Sequence, residues 1–308
     1  MRTKLTSIEL EKRKLKRRKQ LKEDIAGYLF ILPNLVGFLV FTMFAVVFSF
    51  LMSFTDWSLI KKLSAVKWVG LKNYIDLFSD KWFQASVINN LWFLLVVPVT
   101  IFLAMIFAFL MNDKIFFKKG FRTILYLPNI TSTVAVSVVW FTLFNPRMGP
   151  VNQLLMALGV DNPPQWLIST VWAKPCIGLL MIWKSVGYYS LLYLAALQGI
   201  PKQLYESATM DGASGVKQFF KITIPLLSPT TFMLTILSVM NNFKDWSLIQ
   251  IMTEGGPGTS TYNIGYYIYY VAFRKSRMGY ASAISWVLLL ILMVFTIIRF
   301  YVEKKKDF

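Results

Sequence analysis

The chain has 308 residues, of which 56% are hydrophobic and 16% charged, with a formal net charge of +18. Soluble domains place charge on about a quarter of their residues, so this balance excludes an ordinary water-soluble domain and points to a polytopic membrane protein. With no histidine and a single cysteine, Cys176, the chain lacks the commonest proton shuttle, the usual hydrolytic triad base, any intrachain disulfide and any thiolate metal cluster.

The first feature in chain order is the basic tract KRKLKRRKQLK, Lys12 to Lys22. It is too long for the start of a signal peptide and no small-residue cleavage site follows, so residues 1–24 are expected to remain as a basic tail. A basic run set against a membrane span attracts anionic lipid and fixes topology, which is preferred here over nucleic-acid binding. Six windows then carry about the 20 apolar residues that a helix needs to cross the hydrocarbon core. They lie near residues 28–54, 86–111, 123–144, 176–198, 226–250 and 280–302. Backbone amides in lipid must bond within their own segment, so each window is predicted to be a helix. The expected fold is an all-α membrane protein with a six-helix domain over 25–302 and a short tail over 303–308.

Outside the windows, twenty lysines and arginines lie in the two tails, the connection around Lys118 and Lys119, and the connection 199–225; the other three, longer connections hold ten. The positive-inside rule then places both termini and the segment 199–225 in the cytoplasm. No phosphate loop of the form G-x-x-x-x-G-K-[ST] is present. The Gly-rich text EGGPGTST, Glu254 to Thr261, lacks the lysine such a loop needs and is expected to form a turn at the end of a helix. Energy for uphill transport therefore has to come from another chain or from an ion gradient.

The fourth window carries Trp183, Lys184, Ser185, Tyr188, Tyr189 and Tyr193. An ammonium inside a span is expected to face the bundle interior or water, with Tyr188 one turn away as a platform for a sugar ring or as helix packing. In the fifth window Ser228, Thr231, Thr235, Ser238, Asn242 and Asp245 recur every three or four residues, which places all six on one helical face. Such a face suits a solute rich in hydroxyls. The alternative is that Ser and Thr bond their own helix and Asn242 ties two helices together.

Between these windows stands ESATMDGASGVKQFFKITIPLLSP, Glu206 to Pro229. Pro201 suits a helix start, a helix is predicted over Lys202 to Asp211, and Gly212 suits its left-handed end. A second helix is predicted over Ser214 to Ile224, capped by Ser214 and stopped by Pro225. Small side chains at Ser207, Ala208, Ala213 and Ser214 allow close approach by another backbone, while Glu206 and Asp211 offer carboxylates to basic groups. Docking on a partner protein and lying on the inner membrane face both remain open on these grounds.

Glu206, Ser207 and Ala208, three residues, Gly212, nine residues, then Ile222 to Pro225 resemble the Glu-Ala-Ala motif of the membrane subunits of binding-protein-dependent ABC importers. Ser207 and Ile224 are mild departures from it. Further matches to the maltose-type, oligosaccharide and glycerol-phosphate branch include FILPNLVGFLVFT, SFTDW, VGLKNYIDLF, FRTILYLPNI, LQGIP and GGPGTSTYNIGYYIYYVAF. The resemblance implies a type I importer permease in which Glu206, Ser207, Ala208, Asp211, Gly212 and Ala213 form the coupling contact with a cytoplasmic ATPase. It also implies a second permease subunit of different sequence, two ATPase subunits that hold the ATP and magnesium, and an extracytoplasmic solute-binding protein. This chain would then carry no cofactor and no metal site of its own, and would not be an enzyme.

Solute contacts in that branch fall at positions matching Ser185, Tyr188, Thr235, Ser238, Val239 and Asn242; Lys184 is an added charge, Val239 departs from the polar choice, and Asp245 extends the path outward. The expected solute is an oligosaccharide or related polyhydroxylated compound. The alternatives are a glycerol-phosphate-like solute and, in another class, an ion-coupled secondary transporter acting alone.

Overall fold

The computed structural model describes residues 7–112 and 118–304; the ends of both expected tails, 1–6 and 305–308, and the connection 113–117 lie outside the described residues. Helices dominate, and among the described residues the only β-type pairing is an isolated bridge between Thr55 and Trp68. The first span begins as α1 (Ser7–Gly37), continues through a π-helical stretch, Phe38–Met43, and ends as α2 (Phe44–Met52). The helix therefore starts about six turns before the predicted window, because lysine, arginine and glutamate are good helix formers and no breaker interrupts the basic tract. None of its most apolar window, within 19–52, is buried. Its last turns touch the rest of the chain, where Phe50 meets Trp286 edge to face at 4.8 Å.

After a loop come α3 (Lys72–Ser79), α4 (Lys81–Phe93) and α5 (Val96–Asn112). The last two form one span, 81–112, with a slight break where Pro98 has no amide to give to the Leu94 carbonyl. The window 123–144 is not one straight helix. It divides into α6 (Lys118–Ile130) and α7 (Thr133–Leu143), bent by 97° at a break of two residues. Pro128 removes one hydrogen bond of the last turn of α6, and Ser132 turns extended at ψ 127°. A short α8 (Pro150–Ala157) follows, then the long α9 (Ala173–Gln198), as expected.

The fifth window also departs from expectation. α10 (Lys202–Met210), α11 (Gly215–Gln218), a π-helical turn at Phe219–Thr223 and α12 (Ile224–Leu226) lead into α13 (Ser228–Lys244), with a 69° bend at Leu227. Pro225 does not stop the second helix: the wider π turn ahead of it accommodates a residue that lacks the amide. Nor does the helix reach 250, because Asp245 is extended at ψ 100°, and a separate α14 (Ser247–Met252) follows. The Gly255 to Gly258 stretch forms the expected turn after it, before α15 (Ile264–Tyr269), a π turn at Tyr270–Arg274 and the last span, α16 (Met278–Lys304).

The core forms around α9, which lies along α5 and α6, while α7 packs on α14, and α13 is held by α5, α9, α15 and α16. Phe93, Met111, Ile177, Leu180, Tyr189 and Tyr193 are among its fully buried large side chains. Among the described residues four helices are long and apolar enough to cross a membrane, and six spans result when each bent pair is taken as one.

Candidate functional site

A cavity of about 390 Å³ opens where α5, the α6–α7 bend, α9 and the C-terminal end of α13 converge. The period of α9 brings Met181, Lys184, Ser185 and Tyr189 to its wall. α5 contributes Val96 and Thr100, the bend contributes Asn129 and Thr133, and α13 with the following turn contributes Ser238, Asn241, Asn242 and 244–248. Lys184 stands near the middle of the 26-residue α9 and donates its Nζ to Thr133 Oγ1 at 2.6 Å. That bond ties α9 across the sharp bend.

Asn242, 7% exposed, gives its Nδ2 to the Phe93 carbonyl at 2.9 Å and so links α13 to α4. Its Oδ1 is buried without a hydrogen-bond partner among the described residues. A buried acceptor left unmatched costs about 1–3 kcal/mol, and this one belongs to a residue of the cavity wall. The residue therefore joins two roles that sequence reasoning set against each other. At the other side of the wall Ser247 Oγ donates to Asp245 Oδ1 at 3.1 Å, and the Trp246 ring stacks on Tyr269 with centroids 4.1 Å apart.

Lys184, Ser185, Ser238, Asn242 and Asp245 thus share one cavity, but the six-residue stripe predicted on α13 does not stay together. Asp245 stands beyond the helix end and reaches the wall from an extended residue. Thr231 and Thr235 face a separate, mainly apolar groove of about 330 Å³ between α5 and α16, and each bonds a carbonyl of its own helix, Leu227 and Thr231, at 2.9 and 2.7 Å. Ser228 bonds Glu303 at 3.0 Å instead of a solute path. Val239 is buried in the core. Tyr188 does not line the cavity either; it packs against Tyr126 and Tyr189, and Tyr189 takes the wall position. Thr100, Asn129, Thr133, Tyr189, Asn241, Trp246 and Ser247 were missed. Asn129 had a readable signal, a polar residue next to Pro128 inside an apolar window.

An asparagine clamp holds the cavity's far side. Asn89 Nδ2 donates to the carbonyls of Thr259 and Tyr262, Asn90 Oδ1 accepts from the Ile264 amide, and Asn263 spans the Asp245 carbonyl and the Tyr266 amide. Beside it, Asp80 caps α4 by accepting from the Trp82 and Phe83 amides, and its second oxygen takes the hydroxyls of Tyr267 and Tyr280. Burial works against ionisation there, yet these four donors outweigh it and hold the Asp80 carboxyl below its ordinary value.

The segment between α9 and α13 forms the expected helix, bend and helix. Gly212, at φ +74°, ends α10; its amide bonds the Thr209 carbonyl at 3.0 Å and the Ala213 amide bonds the Ala208 carbonyl at 2.9 Å. This is the paired-bond Schellman ending that glycine favours. Ser214 caps α11 through the Lys217 amide, and Gln218 Nε2 ties the bend together through Thr209 Oγ1 at 2.9 Å. Glu206, Ser207, Asp211 and Gly212 are exposed, Ala208 and Ala213 partly buried, and Met210 is 89% exposed. Phe219 anchors the segment to the spans, with its ring edge to face against Phe109 at 5.1 Å.

A family profile described as binding-protein-dependent transport system inner membrane component matches residues 97–307. The chain is 34% identical over 283 residues to the probable ABC transporter permease protein YurN of Bacillus subtilis, covering 90% of this chain and 96% of that protein. It is 33% identical over 290 residues to the lactose transport system permease protein LacF of Rhizobium radiobacter, covering 92% and 95%. In structure it is similar to a chain of a bacterial ABC transporter involved in the import of the acidic polysaccharide alginate, with a TM-score of 0.82 and 26% identity over 94% of this chain and 99% of that one.

Proposed function

The chain belongs to the binding-protein-dependent transport system inner membrane components, and from that membership we propose that it forms the path by which an oligosaccharide or related polyhydroxylated solute enters the cell. It is a multi-pass permease subunit, a transport component and not an enzyme, and it works with a second permease, a separate ATPase and a solute-binding protein. Its relatives include a lactose permease and an alginate importer chain. The observation that carries the carbohydrate reading is the Asn242 Oδ1, a buried, unmatched acceptor on the wall of a cavity rich in hydroxyl and amide groups. A sugar hydroxyl supplies the missing donor.

Two ATPase subunits hold the ATP and magnesium, and Glu206, Ser207, Ala208, Asp211, Gly212 and Ala213 dock on them from the cytoplasmic side, where both termini also lie. Residues 25–302 form the permease domain between the tails 1–24 and 303–308. Closure of the ATPase pair moves the segment 199–225; the Phe219–Phe109 contact passes that displacement to α5, and Lys184, Ser185, Ser238, Asn242 and Asp245 are exposed to each side of the membrane in turn. The test is uptake of labelled oligosaccharides into proteoliposomes holding this chain, its partner permease, the ATPase and the binding protein. Uptake should require internal ATP and the binding protein. Equal uptake by this chain alone under an ion gradient would sink the reading in favour of a secondary transporter.

A further inference from the structure

We propose that the solute of this cavity is an anionic saccharide, bearing a carboxylate or a phosphate ester, and that Lys184 is the counter-charge that receives it. The proposal rests on the saccharide reading above and narrows it.

Lys184 is partly buried near the middle of a membrane-spanning helix, where an ammonium needs a counter-ion or water. Its hydrogen-bond partner, Thr133 Oγ1, is neutral. Among the described residues the one ion pair joins Lys61 to Asp56, in the loop after α2, so no carboxylate among them neutralises Lys184. A second ammonium, Lys244, lines the same cavity and is likewise without an ion pair. The wall's single carboxylate, Asp245, takes the Ser247 hydroxyl and pairs with neither lysine. The cavity thus carries two positive charges against one negative charge.

An ammonium has three donors. Thr133 takes one, which leaves two for the oxygens of an arriving anion. The rest of the wall fits the ring that carries the charge. Asn242 Oδ1 lacks a donor, and Trp246, backed by Tyr269, offers an aromatic surface to the apolar face of a pyranose. A neutral sugar would use the acceptor and the ring but leave Lys184 without its counter-ion; an acidic one satisfies all three.

The test uses the whole importer in proteoliposomes, supplied in parallel with trigalacturonate, its carboxyl-reduced counterpart and glucose 1-phosphate. The expected result is uptake of an anionic saccharide at least tenfold faster than of the neutral one. Lys184→Met and Lys184→Gln should bring that ratio to near one, while Lys184→Arg keeps it. Because the binding protein is the same in every sample, a change in ratio reports on the permease. A ratio lost for trigalacturonate assigns the carboxylate, and one lost for glucose 1-phosphate assigns the phosphate. Preference for the neutral sugar overturns the proposal. So does a ratio that the neutral variants leave unchanged, or equal depression of every solute, which would make Lys184 the partner of a carboxylate on the second permease. Uptake of none of the three compounds overturns the saccharide reading itself, and this inference with it.

Discussion

Gly187 on α9 lies so close to the backbone of α6 that a Cβ there would overlap the carbonyl oxygen of Leu125. The two helices meet main chain to main chain, four residues before Asn129 and the bend that carries Thr133 to Lys184. Gly187→Ala should therefore push α6 away. Overpacking of this kind costs about 1–3 kcal/mol, and the obstacle is backbone that cannot change rotamer. A lower melting temperature of the detergent-solubilised complex, together with reduced uptake, is expected; an unchanged melting curve would mean that the helices part without cost.

Asn242→Leu removes both the amide that holds Phe93 and the acceptor on the cavity wall. Asn242→Asp keeps an acceptor but loses the donor. Loss of one hydrogen bond to solute is worth about 1 kcal/mol, or several-fold in apparent affinity. Concentration dependence of uptake should show a raised half-saturation for both variants, larger for leucine. If both variants matched the parent, Asn242 would be helix glue alone.

Gly212→Val places a β-branched residue at φ +74°, a left-handed conformation that costs L-residues about 1–2 kcal/mol. Open space surrounds the position, so strain and not collision is the cause. The bend should loosen and co-purification of the ATPase should fall, as it should for Glu206→Ala, while solute affinity of the isolated binding protein stays the same. Full ATPase retention and full transport in both variants would remove this segment from the coupling role.

The depressed Asp80 carboxyl makes a signed prediction. Its folded value lies below its ordinary value of 3.8, so its contribution to stability is complete above that value and is lost as the pH falls through the lower, folded one. Asp80→Asn should destabilise the fold at neutral pH, where two tyrosine hydroxyls and two amides lose a charged acceptor. Melting temperature recorded against pH should show the difference between parent and variant narrowing only below about pH 4. A constant difference down to pH 2.5 would rule out the linkage.

The second, fourth and sixth spans were readable as helices from their length and apolar content, although Pro98 breaks the second slightly and the fourth carries Lys184 among its tyrosines. The bends at 131–132 and at Leu227 were less legible, because Pro128 and Pro229 are also compatible with a nearly straight helix and the choice depends on what packs beside them. The segment 199–225 was readable up to its bend and the cap of the second helix, though not in the π turn that carries the helix past Pro225. There Gly212 and Ser214 act locally, through their own backbone and neighbouring amides. The cavity was only half visible. Its α9 and α13 residues follow a helical period, but Thr100, Asn129 and Trp246 arrive from elements distant in sequence and carry no shared spacing. The α13 stripe divided because the helix touches different neighbours along its length, with Thr235 toward α16 and Asn242 toward α4.

Cys176 is the chain's sole thiol and is sealed in the core at 2% exposure. The wild-type sequence is therefore a quiet background for site-directed labelling. A cysteine introduced at Met210, 89% exposed on the segment proposed to dock on the ATPase, would carry a fluorophore or spin label alone. Its signal would follow ATPase engagement turnover by turnover without first stripping the protein of native thiols.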